Sequence, residues 1–221
     1  MKTDIDIHNH CHFSFDLWLT LIKSHPEFKT KRVELFSSFF DIQKPVEEVA
    51  KTVKYYDDLC NNINEVIGGN VDTFEIYLLI LGALNVNIKD IHKEKLNEFY
   101  QKSEDLFLEY RPVVIFENLH QFFEEIKNQG KTINILSNTG FIKGRTMRKF
   151  LIGENLDQYI DFHIYSDEIN CSKPNPLIFQ EVKNNIKGDL QKNQILHIGD
   201  NPVADYQGAK NFGFNAHLLK H

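Results

Sequence analysis

The hydrophobic pattern of this chain changes its period twice, and this limits the folds that the chain can adopt. A short apolar run at 12–19 is followed, over 26–110, by apolar residues at three- and four-residue steps, the spacing of amphipathic helices. From residue 112 onward, short apolar runs alternate with helical segments. Strands that alternate with helices form a parallel, doubly wound sheet. The pattern therefore predicts an α/β core with an all-helical insertion after its first strand.

Helix boundaries inside the insertion follow from capping residues. A helix over 46–67 is favoured by Pro45 at its first turn and by the glycine pair that begins at Gly68. Asp72, with a glutamate three residues later, predicts the capped start of a further helix. The stretch 89–110 is predicted to form a fourth helix.

The remaining elements define the proposed division into domains. Core strands are expected at 12–19 (including the turn that follows), 132–136, 162–165, 195–198 and 216–219, with a helix over 119–128. We therefore predict a core domain made of residues 1–25 and 112–221, and a helical cap domain made of residues 26–111.

Composition argues against some classes of partner. The chain of 221 residues has 31 acidic and 25 basic side chains and a formal charge of −6, so no overall positive field attracts nucleic acid or an anionic membrane. The three cysteines are widely spaced, which predicts reduced thiols. Residues 1–4 begin no apolar signal-peptide core, and the apolar stretch 74–86 is shorter than the roughly 20 residues of a membrane span. We expect a cytoplasmic protein, a monomer or a homodimer, that binds neither nucleic acid nor membranes.

Four polar motifs follow the predicted core strands in chain order. Asp16 ends the first strand, Ser137 the second and Asp200 the fourth, while Lys173 lies beyond the third. Doubly wound sheets bind ligands at the carboxyl ends of their strands. There the Asp16 carboxylate can attack a phosphorus atom, and with Asp200 it offers hard oxygen ligands for Mg²⁺. Lys173 supplies a positive charge, and the Ser137 hydroxyl can hold phosphoryl oxygens.

Together with their neighbours, these residues resemble the motifs of the haloacid dehalogenase (HAD) superfamily of hydrolases. The resemblance is carried by Asp16-Leu17-Trp18-Leu19-Thr20, Ser137-Asn138-Thr139, Lys173-Pro174, and Gly199-Asp200-Asn201 with Asp205. It implies a Rossmann-like core sheet with Asp16 as nucleophile and Lys173 as its catalytic partner. It implies substrate binding by Ser137, Asn138 and Thr139. It also implies a Mg²⁺ site whose ligands are Asp16, the carbonyl oxygen of Trp18, Asp200 and Asp205.

Trp18 departs from the pattern of the phosphatases in this superfamily, which have a second aspartate at this position. That aspartate protonates the leaving oxygen and later activates water, a contribution of about 10²–10⁴-fold. An indole can donate a hydrogen bond but cannot transfer protons in this way. Members without the acid include dehalogenases, with Tyr, and phosphonatases, with Ala. Trp18 therefore argues against efficient hydrolysis of ordinary phosphomonoesters, and less against leaving groups that need no proton, such as those of acyl phosphates.

Three functions are compatible with these motifs. The first is a Mg²⁺-dependent phosphatase that acts on a small phosphorylated metabolite through an aspartyl-phosphate at Asp16, with weakened acid–base catalysis. The second is a metal-independent 2-haloacid dehalogenase, against which Asp200 and Asp205 argue, because such an enzyme has no use for this acidic pair. The third is a catalytically weak protein that binds a phosphorylated ligand or a protein partner. The helical insertion fits either a lid that selects the substrate or packing that covers the site.

His8, His10 and His12 form a separate candidate site. An HxH pattern beside a strand can ligate metals in two-metal hydrolases. Those centres need further His and Asp ligands after later strands, and the other histidines show no such pattern. We therefore expect a solvated lead-in to the first strand, with one or two of these histidines facing into it.

Overall fold

Within residues 5–219, which the computed structural model describes, five parallel strands form the central sheet. The strands of the protein are β1 (His12–Phe15), β2 (Ile22–Lys23), β3 (Val113–Val114), β4 (Thr132–Ser137), β5 (Phe162–Tyr165), β6 (Ile195–Gly199) and β7 (Asn215–Leu218). The central sheet has the order β5-β4-β1-β6-β7, and each neighbouring pair is parallel. The predicted parallel α/β sheet is confirmed.

Helices cover this sheet and fill the segment after its first strand. They are α1 (Phe28–Phe39), α2 (Val46–Ile67), α3 (Thr73–Ala83), α4 (Lys93–Glu109), α5 (Leu119–Asn128), α6 (Gly144–Gly153), α7 (Ser166–Ile169), α8 (Pro176–Asn185) and α9 (Gly208–Phe212). A π-helical turn, Pro202–Gln207, precedes α9. Within residues 5–219, none of the helices combines the length and the apolar character that crossing a membrane requires.

The helices α1 to α4, called the helical insertion below, lie between β2 and β3. These two short strands pair antiparallel, with Ile22 opposite Val114, so the chain leaves and rejoins the core through one two-stranded ribbon. The predicted core and cap domains stay a prediction, although the helical insertion lies where that prediction places the cap. Residues 1–4, on which the signal-peptide argument rests, and residues 220–221 lie outside the described part of the chain.

Capping residues set the ends of α2 and α3 as predicted. Pro45 directly precedes α2, and Gly68 ends this helix with a φ of 65°, a left-handed conformation that glycine adopts at little cost. Asp72 and Glu75 form the capping box at the start of α3. Local sequence is sufficient to place these boundaries.

The fourth helix of the insertion is shorter than predicted. It begins at Lys93, because the segment before it forms a separate 3₁₀ turn, Ile88–Asp90. The Asn87 side chain accepts a hydrogen bond from the Lys89 backbone and caps this turn. Ile91 is extended and separates the turn from α4. A local cap therefore interrupts an apolar pattern that would otherwise continue.

Apolar packing is continuous from the sheet into the helical insertion. Phe13 and Phe15 of β1 belong to one buried cluster with Phe36 of α1 and Phe107 of α4. The Phe107 ring also lies edge-on to Phe150 of α6, with centroids 6.3 Å apart. A second cluster joins buried residues of β4, β5 and β6 to α8 and α9. Helices on both faces of a parallel sheet explain why its strands are short, apolar runs.

His12 is buried in the sheet and makes two hydrogen bonds through its ring. Its Nε2 lies 2.8 Å from Oδ1 of Asn134, and its Nδ1 lies 2.6 Å from Oγ1 of Thr132. The ring stacks on Phe162, with centroids 5.5 Å apart. An amide oxygen can only accept, so the neutral ring with its proton on Nε2 fits this place. Burial lowers the pKa of His12 to about 4, while the side chain of His8 is exposed.

Native stability should fall on acidification partly because of His12. Unfolded histidine has a pKa of about 6.5, so the unfolded chain binds a proton there that folded His12 does not bind until about pH 4. Stability is therefore lost as the pH falls through this window, by about 2 kcal/mol from this group between about pH 7 and about pH 5. In urea unfolding, the free energy of unfolding of His12→Gln should fall by about 2 kcal/mol less than that of the native protein between about pH 7 and about pH 5. His8→Gln, the matched change at an exposed histidine, should keep the native pH dependence, and the same loss in both variants would contradict the assignment.

Candidate active site

The ammonium group of Lys173 joins the predicted nucleophile to the predicted metal ligands. Its Nζ lies 2.7 Å from Oδ1 of Asp16, 2.7 Å from Oδ1 of Asp205 and 2.8 Å from the carbonyl oxygen of Leu136. Burial alone would lower the pKa of Lys173, but the two carboxylates outweigh burial and hold it above its usual value. Burial would also raise the pKa of Asp205, yet Lys173 and His197 hold it well below its usual range. Lys173 is therefore a fixed positive charge at the centre of the site.

Asp16 follows β1 directly and has one carboxylate oxygen without a partner. Its backbone N–H donates to the carbonyl oxygen of Ile198 at 2.9 Å, which joins the end of β1 to β6. Its Oδ1 accepts from Lys173, but its Oδ2 is buried and has no hydrogen-bond partner among the described residues. Burial raises the pKa of Asp16 to about 7 against the opposing effect of Lys173, and Asp205 and Asp200 add to the rise. A buried carboxylate oxygen in this state is costly unless a cation or a substrate contacts it.

Three carboxylates meet at this point. Oxygens of Asp16, Asp200 and Asp205 lie within 4.8 Å of one another. Burial raises the pKa of Asp200, and the nearby Asp205 raises it further. The ammonium of Lys173 contacts two of the three carboxylates, those of Asp16 and Asp205, so the cluster keeps an excess of negative charge. Hard anionic oxygens in this arrangement suit Mg²⁺, so the residues present fit the predicted metal.

The loop after β6 sets the position of Asp205. A Cβ atom on Gly199 would lie 2.2 Å from Cγ of Asp205, so only glycine leaves room for this side chain. The backbone N–H of Asn201 donates to Oδ2 of Asp205 at 3.0 Å, and the Asn201 side chain caps the π-helical turn. Single π-helical turns often occur at functional sites. His197 adds a contact, with Nε2 lying 3.1 Å from Oδ1 of Asp205.

The predicted substrate-binding segment lies beside the lysine loop, and its side chains have protein partners. The Asn138 amide accepts from the backbone N–H of Lys173 at 2.8 Å and donates to its carbonyl oxygen at 3.0 Å. The Thr139 hydroxyl donates to Asp167 at 2.9 Å, and the Ser137 hydroxyl donates to the carbonyl oxygen of Asn138 at 3.1 Å. Asn138 therefore positions Lys173, a role that the sequence motif does not reveal. Substrate contact by Ser137, Asn138 and Thr139 stays a prediction.

Trp18 and Thr20 lie in the turn after the nucleophile. The half-buried indole of Trp18 lines the cavity and lies edge-on to Phe107 of α4, with centroids 6.1 Å apart. The Thr20 hydroxyl donates to Oδ1 of Asp200 at 3.2 Å. Thr20 thus orients a predicted metal ligand, although the sequence gives it no role beyond its place in the motif.

The end of α2 is hydrogen bonded to both loops that carry the site. Nδ2 of Asn201 donates to Oε2 of Glu65 at 2.9 Å. The Gly68 carbonyl oxygen accepts from the Ser172 backbone at 3.2 Å and from Nδ2 of Asn175 at 3.0 Å. These contacts lie next to Asp200 and Lys173 in sequence, so the helical insertion is fixed to the loops that carry the candidate site residues.

A cavity of about 430 Å³ lies between the helical insertion and the ends of the strands. Its core side is formed by residues of the site, including Asp16 and Lys173, and its other side includes Arg32 and Asp57. This volume suits a small metabolite. Sequence reasoning missed Arg32, because an arginine in an amphipathic helix is normally a solvent-facing residue.

Comparison with known proteins adds a family and several relatives. A family model described as haloacid dehalogenase-like hydrolase matches residues 12–213. The rhythmically expressed gene 2 protein of Drosophila melanogaster is 32% identical over 150 residues, which is 64% of this chain and 55% of that protein. The haloacid dehalogenase-like hydrolase domain-containing protein 3 of Mus musculus is 26% identical over 105 residues, 48% of this chain and 39% of that protein. The match thus spans about half the length, or less, of these curated relatives.

Solved structures share the fold at low sequence identity. Magnesium-bound YfnB of Bacillus subtilis has a TM-score of 0.71 and 16% identity, over 96% of this chain and 89% of that one. A HAD phosphatase of Thermococcus onnurineus has a TM-score of 0.63 and 17% identity, over 95% of this chain and 86% of that one. The L-2-haloacid dehalogenase of Xanthobacter autotrophicus has a TM-score of 0.60 and 17% identity, over 95% of this chain and 77% of that one. A phosphatase and a dehalogenase share this fold, so the reaction has to be inferred from the site.

Replacement of Asp200 by asparagine should weaken Mg²⁺ binding. The change removes one anionic ligand but keeps the size of the side chain and an oxygen that can accept from Thr20. We expect the dissociation constant to rise by about tenfold or more in calorimetric titration with Mg²⁺, since even outer-shell substitutions have effects of this size. Asp189→Asn removes the same charge from a side chain that is 93% exposed and should leave the affinity unchanged. Equal binding by the native protein and Asp200→Asn would remove the proposed site.

Proposed function

Because the chain belongs to the family of haloacid dehalogenase-like hydrolases, we propose that it hydrolyses a small phosphorylated metabolite at Asp16, with Mg²⁺ as cofactor. The proposal is carried by Oδ2 of Asp16, which is buried, has no hydrogen-bond partner among the described residues and belongs to a side chain that lines the cavity. Lys173 holds the other oxygen of the same carboxylate and so fixes its orientation. An oriented carboxylate with one free oxygen is suited to nucleophilic attack.

The reaction proceeds in two displacements on phosphorus. In the first, Oδ2 of Asp16 forms a bond to phosphorus, and the bond to the leaving oxygen breaks, with the electron pair departing on that oxygen. In the second, water attacks the aspartyl-phosphate, the Asp16 carboxylate is released, and dihydrogen phosphate carries away both hydrogens of the water. The ammonium of Lys173 offsets negative charge in both steps. Asp16, Asp200, Asp205 and the Trp18 carbonyl oxygen would hold Mg²⁺, whose charge, when it is bound, polarises the phosphoryl oxygens.

Trp18 restricts the leaving groups that this site can expel. A carboxylate leaves as a stable anion, because its conjugate acid has a pKa of about 4. An alkoxide needs a proton as it leaves, and the indole of Trp18 is not an acid that can supply one. We therefore propose acyl phosphates, and phosphates with similarly acidic leaving groups, as the substrate class.

A second function, binding of a phosphorylated ligand without turnover, is favoured by the same Trp18. The two functions share Asp16, Lys173 and the carboxylate cluster and differ only in whether the covalent step occurs. A metal-independent dehalogenase is disfavoured, because it has no use for the cluster of Asp16, Asp200 and Asp205.

Turnover should depend on the acidity of the leaving group. With Mg²⁺ present, we expect acetyl phosphate and p-nitrophenyl phosphate to be hydrolysed, and alkyl phosphates to have kcat/KM values lower by at least about 10²-fold. Mass spectrometry after a rapid quench should find a phosphoryl group on Asp16. Asp16→Asn should abolish both turnover and labelling, and the exposed Asp189→Asn should change neither. A native protein that binds phosphates but hydrolyses none would favour the binding function.

Restoring a carboxylate at position 18 should raise the hydrolysis of alkyl phosphates. Trp18→Asp supplies the missing acid, whose contribution is about 10²–10⁴-fold, and should change acyl phosphate turnover far less. Trp18→Phe, which also removes the indole but adds no acid, should give no gain. Loss of the ring that packs against Phe107 costs stability, at most about 3–5 kcal/mol. Circular dichroism must therefore confirm folding before rates are compared, and a folded Trp18→Asp without any gain would contradict this role for the position.

A further inference from the structure

Arg32 places a buried positive charge on the helical side of the active-site cavity. It lies on α1, is 8% exposed and lines the cavity together with Asp16 and Lys173. Its Cζ atom lies 4.0 Å from the ring centroid of Phe141, which follows the motif after β4. The guanidinium is therefore held between the helical insertion and a loop of the core.

The hydrogen-bonding capacity of Arg32 is largely unused. Its Nη2 lies 3.7 Å from Oδ2 of Asp57, an ion pair too long for a hydrogen bond. Its Nε is buried and has no hydrogen-bond partner among the described residues. Guanidinium groups stay ionised in proteins and offer five N–H donors in a rigid plane. A buried ion with open donors is costly, and a ligand that accepts from those donors removes the cost.

Packing against Phe141 does not by itself account for this arrangement. A guanidinium that only joined the helices to the core would be expected to satisfy its donors, as buried polar groups usually do. Arg32 instead presents its charge to a cavity whose opposite side holds the nucleophile. The contact with the Phe141 ring restricts the position of the guanidinium, whose paired N–H groups match a planar, two-oxygen acceptor.

We propose that Arg32 binds a carboxylate at the end of the substrate remote from the phosphoryl group. The placement of the phosphoryl group at Asp16 rests on the proposed function. Within the proposed class of acyl phosphates and phosphates with acidic leaving groups, the substrate then also carries a carboxylate, with the phosphoryl group at Lys173 and the carboxylate at Arg32.

The charges around Arg32 favour a carboxylate over a second phosphate. Asp57, Asp58 and Glu65 of α2 also line the cavity and oppose a further dianion, while Lys29 and Arg32 supply the positive charge on that side. A carboxylate carries a single charge and matches the guanidinium edge with two oxygens. The acidic side of α2 thus limits the negative charge that this end of the cavity accepts.

Phosphonates that cannot be hydrolysed test this proposal without turnover. The probes are 3-phosphonopropionate and 4-phosphonobutyrate, each paired with the alkylphosphonate in which a methyl group replaces the carboxylate. In calorimetric titration with Mg²⁺ present, we expect at least one carboxylate to bind the native protein about tenfold or more tightly than its alkyl partner, the effect of a hydrogen bond to a charged group. Arg32→Gln and Arg32→Met should lose this preference and bind the alkylphosphonates as the native protein does. Arg32→Met keeps an unbranched stem against Phe141, and circular dichroism checks that each variant folds.

Lys31→Gln is the matched control, because it removes the same charge from a position of the same helix that does not line the cavity. It should retain the preference for the carboxylate. The proposal is overturned if the native protein binds both members of each pair equally or binds neither, if the preference survives in the folded Arg32 variants, or if Lys31→Gln loses as much of it. Failure of the proposed function would be recognised by other results, namely no turnover of acyl phosphates and no phosphoryl label on Asp16. Neither of these measurements depends on a carboxylate in the ligand.

Discussion

The active site depends on one buried ammonium group shared by two carboxylates. Nζ of Lys173 contacts Asp16, which follows β1, Asp205, which follows β6, and the carbonyl oxygen of Leu136 in β4. This one atom therefore connects three strands of the sheet. Removing one member of a buried ion pair costs about 3–5 kcal/mol, because the remaining charge stays buried without compensation. Without Lys173, the carboxylates of Asp16, Asp200 and Asp205 would repel one another. The lysine therefore allows the acidic cluster to exist.

Sequence alone predicts the fold, because the apolar pattern of the strands is a local feature. It also predicts that Asp16, Lys173 and Asp200 lie close together, because doubly wound sheets bind ligands at the carboxyl ends of their strands. It does not predict the β2–β3 ribbon, since two-residue strands carry no hydrophobic period. Nor does it predict the roles of Asn138 and Arg32. Their partners, the Lys173 backbone and the Phe141 ring, are distant in sequence, and only tertiary packing brings them together.

The two sides of the cavity contribute different properties. The strand ends supply the proposed nucleophile and fixed charges, and their fold is also found in a phosphatase and in a dehalogenase. The helical insertion supplies side chains such as Arg32, which line the other side of the same cavity. Trp18 lies where the two sides meet, against Phe107 of α4. Trp18 therefore packs against the helical insertion at the position that, under the proposed function, limits acid–base catalysis.

The hydrogen bonds from the end of α2 to the loops of the candidate site have a thermodynamic consequence. Glu65 holds Asn201, which caps the turn that carries Asp205, and Gly68 holds the segment before Lys173. A ligand or cation that orders these loops also favours the present position of α2. By linkage, this position of α2 raises the equilibrium constant for ordering the loops by the same factor. The position of α2 and the binding of a cation by the acidic cluster would then be coupled. A ligand that displaced α2 would also lower the affinity of the cluster for a cation.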